Sequence, residues 1–169
     1  MKHTVVALVE NEPGVLNRVA SLFRRRGFNI DSLTVGHTEI PRISRMTIVV
    51  DGANTIVEQV VKQLYKVIDV LKVSDVTEDT TVTRELALIK VSATASTRSE
   101  IMQIVDIYRA KIVDVASDSL IIEVTGNEDK IESLVQLVRR FGIKEMVRTG
   151  KVAMVRSAAG ATKLSYEED

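Results

Sequence analysis

The chain has 169 residues, 45% of them hydrophobic, with 23 Lys plus Arg balancing 23 Asp plus Glu and no cysteine. That length suits one ordinary domain or two small ones, and the balanced charge, without a long basic block, argues against a nucleic-acid or anionic-membrane partner. The lack of cysteine excludes disulfides, Cys-ligated zinc and thiol catalysis. The first apolar run is broken at Glu10, too soon for a signal peptide or spanning helix, so a soluble, cytoplasmic protein is expected.

Val5 to Val9 read as a strand, followed by the turn Asn11, Glu12, Pro13, Gly14, with Pro13 suited to the first helical turn. Val15, Leu16, Val19, Leu22 and Phe23 then recur at helical spacing, Arg24 to Arg26 give the helix a cationic end, and Gly27 stops it. The first N–H groups of a helix have no intrahelical partner and sit at the positive end of the dipole, which attracts a small anion. Gly14 leaves the backbone open to a carboxylate, and Asn11 lies nearby with an amide that both donates and accepts. Such an end contributes about 0.3 to 1 kcal/mol, up to about 2 when partly buried, which alone does not make a site. From the residues alone, the same four are also simply a good loop before a good helix.

Phe28 and Ile30 lie on one parity and Leu33 and Val35 on the other, so a bulge is expected near Asp31 and Ser32. Gly36 to Ile43 reads as a mobile loop, Met46 to Val50 as a half-buried strand, Val57, Val60, Val61, Leu64 and Ile68 as a helical stripe, and Val70 to Val76 as a closing strand. Strand, helix, strand, strand, helix, strand gives a four-stranded antiparallel sheet with both helices on one face. The polar residues 79–84 read as a linker, after which the order repeats. Leu86 to Val91 is a strand and Ser99 to Ala110 a helix with Thr97 and Glu100 at capping-box spacing; two short strands flank Ser117 to Ser119. A helix through Ile131, Leu134, Val135 and Val138 follows, then a last strand from Glu145 to Arg156. Aligning Gly52 with Gly126 superposes the two stripes, but Ala95 to Arg98 replace the Asn11 to Gly14 turn. The expected division is 1–78, a linker at 79–84, a second domain at 85–157 and a flexible tail at 158–169. Each half is small enough that packing of halves or chains on one another is expected.

No catalytic set is apparent. His3 near the start and His37 in the loop read as solvated histidines, and no phosphate loop, zinc motif or nucleophile elbow occurs. The same topology serves RNA-binding domains, but those need aromatics on the open sheet face, and aromatics are only 4% here.

Five stretches carry a resemblance: N-E-P-G-V-L-N-R-V-A-S-L-F-R-R-R-G-F-N-I-D-S-L-T-V (Asn11 to Val35), S-R-M-T-I-V-V (Ser44 to Val50), K-Q-L-Y-K-V-I-D-V-L-K-V (Lys62 to Val73), R-E-L-A-L-I-K-V (Arg84 to Val91) and R-T-G-K-V-A-M (Arg148 to Met154). The first half resembles an ACT domain, and Thr4 to Arg156 resembles the regulatory (small) subunits of acetolactate synthase. The resemblance implies an α+β protein of two ferredoxin-like βαββαβ domains, an N-terminal ACT domain and a C-terminal ACT-like one. It implies a non-catalytic subunit that activates a catalytic (large) subunit and confers feedback inhibition by valine, leucine or isoleucine. Thiamine diphosphate, Mg and FAD are then expected on the catalytic partner and no cofactor or metal on this chain. It further implies a homodimer through the ACT domains. Asn11, Gly14, Val15 and Leu16 would hold the effector's carboxylate, and Asn29 and Ile30 of the second copy would contact its amino group and side chain. Ala110 and Val147 depart from the family pattern, outside the effector loop. An ACT module serving another enzyme and a small acylphosphatase-like enzyme are the alternatives.

Overall fold

The structure, a computed structural model, describes residues 1–156; the expected flexible tail lies outside the described residues. In chain order the elements are β1 (Lys2–Glu10), α1 (Val15–Arg26), β2 (Ile30–His37), β3 (Ile43–Asp51), α2 (Asn54–Leu64), β4 (Val70–Asp75), β5 (Thr81–Ser92), α3 (Arg98–Ile107), β6 (Lys111–Val115), β7 (Ser119–Gly126), α4 (Glu128–Val138), a 3-10 turn at Arg139–Phe141, β8 (Ile143–Arg148) and β9 (Val152–Val155). Both repeats therefore have the βαββαβ order, and both sheets are antiparallel, an α+β architecture. The first sheet runs β2-β3-β1-β4, leaving β2 at an edge. The second runs β6-β7-β5-β8, with β9 also paired to β5.

Period-2 alternation on β1 sends Val5, Ala7 and Val9 into the first core, with Met46, Ile48 and Val50 of β3 beside them. Val15, Val19, Leu22 and Phe23 of α1 and Val57, Val60 and Leu64 of α2 cover that face. Each large side chain fully buried this way is worth about 1.5 to 3 kcal/mol. Phe23 meets Phe28 edge-on, with centroids 6.1 Å apart. The bulge appears where parity requires it, as a register shift between Ile30 and Ser32 against β3. In the second repeat Ala87, Ile89 and Val91 pack under Ile101, Ile104 and Val105 of α3 and Ile131, Leu134 and Val138 of α4.

The loop read over Gly36 to Ile43 shrinks to 38–42, because Gly36 and His37 pair with Arg45 and Ser44 and Ile43 opens β3, and three further boundaries differ from the sequence reading. The polar stretch 79–84 is not a loop throughout, because β5 already begins at Thr81, and the division into compact units falls between Val82 and Thr83. The last strand is two: Gly150, at φ +79°, interrupts it, and 152–156 belong to the first unit. There Ala153 packs with Val6 and Val76 on the face of the first sheet away from the helices, and Arg45 donates to Ala153 O at 2.7 Å. Burial lowers the Arg45 pKa, an effect the neighbouring Glu39 charge opposes. Ile68 does not extend the second stripe; α2 ends at Leu64 and Ile68 is 89% exposed.

Candidate functional site

Three connections meet at one end of the first sheet, because β1 ends at Glu10 opposite Ile43 of β3 while Val9 pairs with Val70 of β4. These are the turn into α1, the loop between β2 and β3 and the connection between α2 and β4. Glu12 to Val15 form the turn: Val15 N–H reaches back to Glu12 O at 3.4 Å, and Gly14 has φ 85° and ψ −6°. Those angles belong to the third position of a type II turn, with Pro13 in the preferred second position, which is why Pro-Gly stands here. Pro13 thus precedes the helix instead of lying in its first turn. A Cβ added at Gly14 would meet nothing within 4 Å, so the glycine is required by backbone angle and not by crowding.

No side chain caps α1, and its first intrahelical bond runs from Arg18 N–H to Gly14 O at 3.0 Å. The N–H groups of Gly14, Leu16 and Asn17 make no hydrogen bond among the described residues. Val15 is buried in the core, whereas Leu16, read from spacing as part of the apolar stripe, is 47% exposed. It is displaced about 100° from Val15 around the helix, beyond the edge of the face that packs on the sheet. An apolar side chain therefore stands beside the unbonded N–H groups.

Asn11 is tied to the β2–β3 loop. Its Nδ2 donates to Pro41 O at 3.3 Å and lies 3.3 Å from Nδ1 of His37, and its N–H donates to Arg42 O at 2.7 Å. Sequence reasoning left His37, 26 residues away, in a solvated loop. The signal for the contact was topological: an antiparallel β2–β3 pair returns its loop to the end where β1 finishes. His3, also read as solvated, is buried with Nε2 3.2 Å from Gly52 O.

Asn29 and Ile30 are at the opposite end of this sheet, since Ile30 pairs with Val50, which pairs with His3. The seven residue steps from His3 to Glu10 span about 24 Å, so one chain does not bring the two groups together. Asn29 is exposed and Ile30 partly buried at the start of the edge strand.

Against known proteins, residues 6–72 match the family model described as an AHAS small subunit-like ACT domain, and residues 84–157 match that for the small subunit of acetolactate synthase. A probable acetolactate synthase small subunit of Archaeoglobus fulgidus is 62% identical over 156 residues, covering 92% of this chain and 98% of that protein. The chain belongs to the acetolactate synthase small-subunit family. The acetolactate synthase small subunit of Mycobacterium leprae is 51% identical, covering 94% of both chains. The crystal structure of the acetolactate synthase small subunit from Thermotoga maritima superposes with a TM-score of 0.86 at 45% identity, over 94% of this chain and 99% of that one. Membership thus extends through both repeats, so the contrast between their helix starts is a contrast within one acetolactate synthase small-subunit chain.

Proposed function

We propose that this chain is the regulatory subunit of an acetolactate synthase, binding a branched-chain amino acid between two copies of its first repeat and passing that binding to a catalytic subunit. Family membership through both repeats supports the enzyme assignment. The observation that carries the sensing role is the uncapped α1 start beside an exposed apolar side chain. The effector's carboxylate accepts from the N–H groups of Gly14 and Leu16, close to the Asn11 amide, and its side chain lies near Leu16.

The missing half of the site comes from a second copy. β2 is an edge strand, and edges of this kind pair with another strand. An antiparallel pair of β2 strands centred on Leu33 sets Ile30 of one copy opposite Gly36 of the other, and Asn29 opposite His37. His37 adjoins Asn11. The second copy therefore brings Asn29 and Ile30 to the amino group and side chain of the effector. Binding across that junction shifts the dimer between two states by no more than the effector's differential affinity for them. Thiamine diphosphate, Mg and FAD chemistry resides on the catalytic subunit in this reading.

The test is calorimetric titration of valine, then leucine and isoleucine, into the purified chain, followed by reconstitution with its cognate catalytic subunit. Saturable binding, no acetolactate synthase activity alone and raised, effector-sensitive activity in the mixture are expected. Binding without any effect on the catalytic subunit would favour the module acting on another enzyme.

A further inference from the structure

The Asn11 side chain stands in one orientation. Its Nδ2 lies 3.3 Å from Pro41 O and 3.3 Å from His37 Nδ1, while its backbone N–H is held by Arg42 O at 2.7 Å. A carbonyl oxygen has no proton to give, so the amide atom facing Pro41 O is the nitrogen. The same nitrogen faces His37 Nδ1, which therefore has to accept. A histidine nitrogen accepts only without its proton, so His37 is the neutral tautomer with its hydrogen on Nε2. Both N–H bonds of the amide are thereby used, and Oδ1 has no partner among the described residues.

The two acceptors are held in place by the β2–β3 loop itself. His37 pairs with Ser44 across the strands, and Thr38 N–H donates to Ile43 O at 3.1 Å. Within the loop, Ile40 N–H donates to Thr38 Oγ1 at 3.2 Å and Ile43 N–H donates to Ile40 O at 2.9 Å. Pro41 thus sits in a loop closed on itself. An amide that offers only its oxygen suits a cation and not an anion. The resemblance gave Asn11 to the effector's carboxylate, whereas the fold leaves that carboxylate to the open N–H groups of Gly14 and Leu16. The other pole of an α-amino acid is an ammonium group with three donors, enough for Asn11 and for Asn29 of the second copy.

We propose that His37 is a positioning residue of the effector site: with Pro41 O it holds the Asn11 amide so that Oδ1 accepts from the ammonium of an α-amino acid. This rests on the reading of the α1 start as the effector site. Without the Nδ1 acceptor, Pro41 O is the amide's only hold, and the preference for a cation falls.

Two measurements test this on the full chain. The first is long-range proton–nitrogen NMR at neutral pH, which needs no effector, and the chain has only two histidines to assign. His37 is expected to carry its hydrogen on Nε2, with an Nδ1 signal that moves in Asn11→Ala. A hydrogen on Nδ1, or a signal indifferent to Asn11→Ala, overturns the proposal.

The second is calorimetry with valine and with 2-hydroxy-3-methylbutanoate, which replaces the ammonium by a hydroxyl and keeps the carboxylate and side chain. His37→Leu is expected to weaken valine by about tenfold, the worth of one hydrogen bond, and the hydroxy acid much less. His37→Asn places an oxygen as many bonds from Cβ as Nδ1 and should restore valine binding. In an Asn11→Ala background His37→Leu should cost nothing further, because the two act as one unit. Thermal melts check that each variant folds. Equal weakening of both ligands, or a loss that persists in the Asn11→Ala background, would make His37 a support of the loop alone and overturn the proposal. A wild-type chain that binds no valine would overturn the effector reading and this role with it, even where the spectra show the His37–Asn11 bond.

Discussion

The two repeats share a fold and differ at one helix start. In the first, the Pro13–Gly14 turn leads into α1 with no side-chain cap and no acidic residue in the first turn. In the second, the turn before α3 satisfies itself: Thr94 N–H donates to Thr97 Oγ1 at 2.8 Å, Thr97 N–H donates to Thr94 Oγ1 at 3.3 Å, and Arg98 N–H donates to Thr94 O at 3.0 Å. The Arg98 guanidinium folds onto the carbonyls of Ala116 and Ser117, and Glu100 places a carboxylate in the first turn, where it repels an anion. Both starts leave two first-turn N–H groups unbonded among the described residues, those of Leu16 and Asn17 in one and of Ser99 and Glu100 in the other; what separates them is the N–H of Gly14, open where that of Thr97 is bonded, and the Glu100 carboxylate. A missing cap alone does not make this difference, since α2 also lacks one. The α1 start combines open N–H groups, an exposed Leu16 and the Asn11 amide at the end of the sheet reached by the edge strand β2.

Breaking the first start should have the largest effect. In the proposed site, Gly14→Asp adds a negative charge beside the effector's carboxylate and should abolish valine binding by calorimetry. Gly14→Ala separates charge from backbone, because φ 85° costs an L-residue about 1 to 2 kcal/mol; it should lower the melting temperature and keep measurable binding. Next comes Asn11→Ala, which removes an amide linked to Pro41 and His37 and should weaken valine by about tenfold, the worth of one hydrogen bond of about 1 to 1.5 kcal/mol. Thr97→Ala removes the acceptor of the Thr94 N–H before the second start, should cost about 1 kcal/mol of stability in a denaturant titration, the worth of one hydrogen bond, and should leave valine binding unchanged. A new dependence on valine there would break the comparison.

The smallest effect concerns acid. Hydrogen bonds from Gln136 and Arg148 hold the Glu132 carboxyl below its usual range, while pairing with Glu85 raises the Arg148 pKa. A folded pKa below the unfolded one gives stability that is present above the usual carboxylate range and lost as pH falls through the folded value. Glu132→Gln should reduce the acid sensitivity of thermal melts without altering valine binding at neutral pH.

Periodicity carried most of the fold. The stripes Val57, Val60, Leu64 and Ile131, Leu134, Val138 are the buried faces of α2 and α4, and the parity slip at Asp31 marked the bulge. What it missed depends on nonlocal geometry. Alternation through Glu145 to Arg156 does not say which sheet a strand joins, and β9 turns at Gly150 to cover Val6. Thr97 and Glu100 have capping-box spacing, yet no cap bond forms from Thr97, because Thr94 engages its hydroxyl and Glu100 pairs with Arg140. At the site, Pro-Gly identified the open helix start, while the Asn11–His37 contact and the outward turn of Leu16 follow from how strands and helix pack.

The most direct test of a site shared between two copies is complementation. Gly14→Asp and Asn29→Ala chains should each fail to bind valine alone. Once the two are co-refolded, each mixed dimer pairs an intact helix start with an intact Asn29 at one of its two junctions, so calorimetry should recover one site per mixed dimer. Recovery of none, with both variants folded and dimeric, would contradict the account and place the whole site within a single chain.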